Sequence, residues 1–273
     1  MVNLQEGGFV TPAELDELDA IRASHYQARF GHQGFGLTIV PTCRCNFACD
    51  YCYESKDIHC MAVDQDSDMS KSVQEHLLYL CEKEIPQNAA FFAMWYGGEP
   101  LLSRDVIQSL TTGFVRICES KKSVYHSGMI TIGYLLTPDN VEFLAQNQVK
   151  FVQITIDGPK HVHDRRRPLR GGGETFDRIL DNICYMGEKG KPAVSIRVNI
   201  DRRNAEDVPE LLSILRGHGL HSKPNIRLYF GQTVHYSNSC PDIASQCMAS
   251  QEFSFWMVGA YRTALAHGFR IGM

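Results

Sequence analysis

The sequence predicts an α/β fold built on a parallel sheet. Two patterns carry that expectation. Short apolar segments rich in Val, Ile, Phe and Tyr recur along the chain, and amphipathic stretches separate them. The apolar segments show little polar alternation, as parallel strands covered on both faces should.

The elements follow in order. Residues 12–29 read as a helical lead-in, with Thr11 at the N-cap and Pro12 at the first helical position. The first strand is 37–41. Residues 55–70, with Asp57, Asp64, Asp66 and Asp68, lack periodicity and read as a polar, mobile connection. Helix 71–85 then leads to strand 89–95. Ser103 opens a helix over 103–121, before strand 128–133. Pro138-Asp139 opens helix 138–147, followed by strand 150–156. Gly190 closes helix 174–189 and Gly219 closes helix 204–218, with strand 194–200 between them. Strand 225–230 and helix 248–267 complete the series. Six βα units in succession imply one parallel sheet with right-handed crossovers. That pattern leaves a curved partial barrel and a doubly wound sheet both open. The division expected is a lead-in over 1–36 and a core domain over 37–273. Phe269-Arg270-Ile271 reads as the start of a connection to a further domain beyond Met273.

Composition excludes several classes. The 273 residues are 44% hydrophobic, enough for one large α/β domain or two small ones. A net charge of −4, with no basic run beyond Arg165-Arg166-Arg167, argues against nucleic-acid binding. No stretch is long and apolar enough for a transmembrane helix. The N-terminus lacks the basic and apolar regions of a secretory signal. A cytoplasmic setting is therefore expected, and the ten cysteines are read as thiols or ligands rather than disulfides. Cys81, Cys118 and Cys184 fall in helical stretches, where buried free thiols are the simplest reading.

The most specific signal is Cys45-Asn46-Phe47-Ala48-Cys49-Asp50-Tyr51-Cys52, a C-x3-C-x2-C just after the first strand. Three thiolates at this spacing can hold three irons of a cubane cluster and leave the fourth iron without a protein ligand. Clusters that only carry electrons normally have four protein ligands. An open iron can bind a substrate, as an open position does at catalytic metal sites. The competing reading is a structural zinc site that adds Cys43 as a fourth thiolate. All four would then sit in one loop, unlike the separated knuckles usual for zinc. Cys43 is read as a packed side chain.

This motif, with Tyr51 before the last cysteine, resembles the signature of the radical S-adenosylmethionine (radical SAM) superfamily. Cys52-Tyr53-Glu54 resembles the branch that modifies peptides and proteins, whose members usually carry a C-terminal SPASM domain. The resemblance runs from about Leu37 to the C-terminus. It implies a (β/α)6 partial TIM barrel, in which the chemistry sits at the C-terminal ends of the strands. It also implies a [4Fe-4S] cluster on Cys45, Cys49 and Cys52, with S-adenosylmethionine (SAM) as cosubstrate and Tyr51 among the cofactor-binding residues.

Further segments match the family pattern. Tyr96-Gly97-Gly98-Glu99-Pro100 resembles the segment that holds the SAM ammonium. An ammonium has donors and no acceptor, so carbonyls and the Glu99 carboxylate suit it. Gly97 and Gly98 would let the backbone approach, and Pro100 would stiffen the exit. Thr131-Ile132-Gly133 lies where the family usually has Asn in the middle, so Ile132 receives no ligand role. Gln153-Ile154-Thr155-Ile156-Asp157-Gly158-Pro159 resembles another family segment. Thr155 and Asp157 alternate onto one face and could reach the SAM ribose or carboxylate. His163, Asp164 and Arg167 are read as ordering a loop. On the fifth strand Ser195, Arg197 and Asn199 share a face. Arg197 needs an anion, either the SAM carboxylate or a protein acid such as Asp157. Tyr229 and Gln232 are candidates for the substrate side.

The resemblance implies reductive cleavage of SAM and hydrogen abstraction from a peptide, with an electron donor such as flavodoxin or ferredoxin. The expected substrate is a ribosomal precursor peptide that gains a crosslink. The enzyme alternative is a sulfatase-maturating type that oxidises Cys or Ser to formylglycine. The non-enzyme alternative is a zinc or iron–sulfur binding regulator, against which Gly97-Gly98-Glu99 counts.

Overall fold

The computed structural model describes residues 12, 15–31, 34–52, 68–235 and 243–272. The polar connection expected over 55–70 lies mostly outside them, as do Thr11, Cys60 and Cys240. Helix α1 spans Glu17–Phe30. It starts later than the Thr11-Pro12 signal suggested, because the Asp16 carboxylate accepts hydrogen bonds from the Leu18 and Asp19 amides and so caps the first turn.

Six strands follow: β1 (Gly34–Ile39), β2 (Ala90–Trp95), β3 (Val124–Thr131), β4 (Val149–Thr155), β5 (Ala193–Ile200) and β6 (Ile226–Gln232). All neighbouring pairs are parallel, and the order in the sheet is the order in the chain. A doubly wound sheet would reverse its order at a switch point. This sheet does not, so the choice left open by the pattern falls to the partial barrel. The helices between strands are α2 (Lys71–Glu84), α3 (Arg104–Ser120), α4 (Pro138–Gln146), α5 (Lys160–Arg166), α6 (Phe176–Lys189), α7 (Val208–Gly217) and α8 (Ser250–Ala266).

The two faces of the sheet differ in chemistry. One register row runs Trp95, Met129, Val152, Val194 and Ile226, all almost fully buried. It belongs to the core that the helices cover. Burial of such side chains contributes about 1.5–3 kcal/mol each. The opposite face carries the rows Ile130–Gln153–Ser195–Arg227 and Thr155–Arg197–Tyr229. Polar residues thus line the inner wall along β4, β5 and β6. Along β2 the inner wall is largely apolar, and Phe92, Met94, Tyr96 and Ile130, with Gly36 and Thr38 of β1, help line a cavity of about 530 Å³.

Several segments differ from expectation, and β1 runs Gly34–Ile39 where 37–41 was expected. β3 begins at Val124, because Tyr125 and Ser127 turn inward while Val124 and His126 face out, an alternation that masked its start. Past α8, the main chain of Arg270 and Gly272 bonds to Leu228, so this segment lies along the edge of β6. Among the described residues no helix is long and apolar enough to cross a membrane.

Candidate active site

The cysteine loop leaves the end of β1 and is held on two sides. On one side, the Gly98 and Glu99 amides donate to the Thr42 and Arg44 carbonyls at 3.3 and 2.8 Å. Both glycines are required by this approach. A Cβ at Gly98 would lie 2.2 Å from the Arg44 oxygen. One at Gly97, whose φ is +116°, would lie 2.6 Å from the Thr42 oxygen. On the other side, the Ala48 and Asp50 amides donate to the Pro168 and Arg166 carbonyls at 2.9 and 3.2 Å, and the Arg170 amide donates to the Asn46 carbonyl at 2.8 Å. The loop is thus clamped between the turn after β2 and the end of α5.

Cys45, Cys49 and Cys52 lie in this clamped loop as partly buried thiols. Burial pushes the Cys45 thiol up to about 11 and also raises Cys49. A charge on Cys49 would raise the Cys45 thiol further. Thiols in a dry loop ionise only when a metal takes the charge, and coordination then removes the proton outright. Among the described residues no three His, Cys, Asp or Glu side chains converge on one point, as a single zinc ion would need. A cubane spreads its sulfur ligands over three irons, so this soft, grouped donor set fits an iron–sulfur cluster.

Glu99 is held by groups of the protein. It is fully buried, and its carboxylate accepts from the Leu101 amide (3.0 Å), the Ile132 amide (2.8 Å) and the Thr131 hydroxyl (2.8 Å). Burial holds its carboxyl above the usual range, and these hydrogen bonds oppose that rise. The side chain therefore ties the end of β2 to the end of β3. Pro100 starts a short 3-10 helix that leads into α3.

Asp157 and Tyr51 are held in the same way. The Asp157 carboxylate accepts from the Tyr51 hydroxyl at 2.5 Å and from the Asn199 amide at 2.9 Å. Arg166 approaches it at 3.6 Å. Fully buried, Asp157 anchors the cysteine loop to β4 and β5. Tyr51 does the same from the loop, taking hydrogen bonds from Arg167 (2.5 Å) and Asn199 (3.2 Å). The pairing of Asp157 with Arg197, weighed from the sequence, does not occur.

Sequence reasoning missed the support behind this network. Asp201 pairs with Arg166 at 2.8 Å and Arg203 at 2.7 Å, and Arg203 reaches Asp50 at 2.5 Å. Asn204 donates to the Asp157 and Asn199 carbonyls at 2.6 and 2.8 Å. The signal was Asp201-Arg202-Arg203-Asn204, a polar run directly after an apolar strand. His163, also buried, accepts from the Asp157 amide at 3.2 Å, and Asp164 caps the start of α6 through the Thr175 and Phe176 amides.

Arg197 is half-buried on the inner wall. Its Nε donates to Asn199 at 2.7 Å, and it lies over the Tyr229 ring at 5.5 Å. It forms no ion pair with any acid among the described residues. Gly231 makes its space, since a Cβ there would lie 2.9 Å from the guanidinium. Beside it the buried Ser195 hydroxyl has no hydrogen-bond partner. Thr155 is Arg197's register neighbour on the same face. A guanidinium without an acid, next to an unpartnered hydroxyl, fits a small carboxylate such as that of SAM.

A half-open parallel barrel with a three-thiol loop at the C-terminal ends of its strands defines a cluster-bearing redox domain. The chain belongs to the radical SAM superfamily, whose family model matches residues 39–215. Membership brings a [4Fe-4S] cluster and SAM as cofactors, and the homologues include the peptide- and sulfatase-maturase branch. A serine-type anaerobic sulfatase-maturating enzyme of Bacteroides thetaiotaomicron is 27% identical over 54% of this chain and 34% of its own. The sporulation killing factor maturation protein SkfB of Bacillus subtilis is 24% identical over 64% of this chain and 38% of its own. The chain thus spans between a third and a half of these relatives' lengths. The fold is shared with native anSMEcpe bound to AdoMet and the Kp18Cys peptide, at TM-score 0.68, 19% identity and coverage of 87% and 63%. Streptococcus suis SuiB bound to the precursor peptide SuiA shares it at TM-score 0.54, 14% identity and coverage of 96% and 55%.

Proposed function

We propose that this chain is the core of a radical SAM enzyme acting on a peptide or protein side chain. The observation that carries the reading is the clamped loop of Cys45, Cys49 and Cys52 beside the inner wall that holds Arg197. In this reading the three cysteines bind the cluster. The main chain at Gly97 and Gly98 lies against the methionyl end of SAM, and Arg197, Ser195 and Thr155 take its carboxylate. Glu99, Pro100, Asp157 and Tyr51 shape this site from behind. Bound there and reduced, the cofactors supply a 5′-deoxyadenosyl radical that takes a hydrogen atom from a substrate carbon. The protein's part is to hold that carbon near the radical source and exclude water. The apolar wall of β2 gives a substrate side chain a dry surface beside a polar one.

A peptide substrate is supported by relatives named for peptide and protein maturation. The reading preferred is a crosslink within a ribosomal precursor peptide. Formylglycine formation on a sulfatase-like target is the second reading, favoured by the similarity to sulfatase-maturating enzymes. The test is anaerobic reconstitution followed by assays of bound iron and 5′-deoxyadenosine. Cys45→Ala, Cys49→Ala and Cys52→Ala should each abolish SAM cleavage, and Cys43→Ala should retain it. Full activity in Cys49→Ala would end this reading. Product mass spectrometry separates the outcomes: a crosslink leaves two side chains joined, whereas formylglycine alters one residue and reacts with hydrazides.

A further inference from the structure

Arg167 carries a charge into the interior without an acid to meet it. It is 6% exposed. Its neighbour Arg166 has two ion pairs, with Asp157 and Asp201, whereas Arg167 has none among the described residues. Its Nη1 donates to the Tyr51 hydroxyl, while its Nε has no partner. The guanidinium lies 5.8 Å from the centre of the Phe47 ring and 6.0 Å from that of Tyr51. These two residues flank Cys49 in the loop. The adjoining main chain at Arg166 and Pro168 holds the same loop, so the guanidinium keeps its place.

A buried cation needs a counter-charge, because an unpaired one is strongly disfavoured in dry protein. Asp157, an acid close by, is already engaged by Tyr51, Asn199 and Arg166, so the counter-charge left for Arg167 is the one that the cysteine loop beside it would carry with a metal site bound. We propose that Arg167 is a positioning residue whose counter-charge is the cluster itself, and that its fixed positive charge raises the cluster's reduction potential. This rests on the cluster reading of Cys45, Cys49 and Cys52. Three thiolates and one incoming electron add negative charge to a poorly screened site. A cation beside them stabilises the reduced form more than the oxidised form. The electron comes from an external one-electron donor, and no bond forms or breaks at Arg167.

The test is a redox titration of the anaerobically reconstituted full chain, followed by electron paramagnetic resonance, with bound iron measured in parallel. The variants are Arg167→Gln and Arg167→Lys. At the wild-type midpoint, Arg167→Gln should lower the reduced-to-oxidised ratio about tenfold or more, equivalent to about 59 mV for a one-electron couple. Arg167→Lys keeps the charge and should stay close to wild type. Loss of iron from the Gln variant alone, with the Lys variant intact, would likewise show that the charge is required. A Gln variant with full iron and the wild-type potential would overturn the proposal. So would a Lys variant that shifts as far as Gln, or loss of iron from both Arg167 variants, because each points to shape rather than charge. A wild-type chain that binds no cluster would instead remove the reading beneath, and the proposal with it.

Discussion

The Asp157 carboxylate accepts the Tyr51 hydroxyl at 2.5 Å, across 106 positions of sequence. This one contact fastens the cysteine loop to the strand that ends β4. The residues that look most like ligands in the sequence are therefore partly the fastenings of the site. The predictions below separate fastening from binding.

Glu99→Gln should destabilise the fold directly. The carboxylate serves two backbone amides, one on each oxygen. An amide side chain has one acceptor, so one of those N–H groups would face an NH2 group. The expected loss is about 1–3 kcal/mol, the penalty of an unsatisfied buried group, and urea denaturation of the cluster-free chain measures it. A variant as stable as wild type, but with weaker SAM binding, would restore Glu99 to the role of a ligand.

Gly98→Ala should lose iron before it loses secondary structure. The new Cβ meets the Arg44 and Cys43 carbonyl oxygens at 2.2 and 2.6 Å. Both are backbone atoms of the cysteine loop, so the loop must move. Iron content after reconstitution should fall sharply while far-ultraviolet circular dichroism stays unchanged. Normal iron content would show that the loop tolerates the shift.

Arg197→Gln should weaken SAM binding and leave the cluster in place. A charge-assisted hydrogen bond contributes about 1.5–3 kcal/mol, or roughly 10- to 100-fold in affinity. Gly231→Ala should act in the same direction but less strongly, because it only displaces the guanidinium. Isothermal titration of reconstituted protein with SAM reads both. Equal affinity in Arg197→Gln would exclude Arg197 from the site.

His163 should make the fold acid-sensitive. Burial, with Arg167 nearby, lowers its pKa from 6.5 to about 3. In the unfolded chain the imidazole takes a proton near pH 6.5, and in the folded chain it does not. Its stabilising contribution is complete above pH 6.5 and is lost as pH falls toward 3, at about 1.4 kcal/mol per pH unit. Asp201, held below the usual range by Arg203 and Arg166 against the effect of burial, adds a loss at lower pH. In the cluster-free chain His163→Asn keeps an acceptor for the Asp157 amide, and should flatten the pH dependence of urea stability by nearly one proton. An unchanged slope would assign that proton elsewhere.

The strand pattern was readable because each strand puts an uninterrupted apolar segment between two helices. The ends of Ala90–Trp95, Val149–Thr155 and Ala193–Ile200 match the expectation to within a residue. Lys160–Arg166 was not seen as a helix. Seven residues span two turns, too few for a 3.6-residue period to show. The three cysteines were legible because their spacing is local. The directions of Glu99 and Asp157 were not, because their partners lie 33 and 106 positions away. Arg197 was read as a cation seeking an anion, and its lack of a protein acid could be seen only once the acids nearby were found in other pairs.

The sheet stops short of closing. Among the described residues β1 bonds only to β2, while the far edge of β6 is taken up by the chain near Ile271. A tube closed all round admits a polymer only end first. A trough admits it sideways, as a loop drawn from the middle of a longer chain. The position of a reactive residue within its substrate would then be limited by how tightly a backbone can bend into the trough, and a free terminus would not be needed.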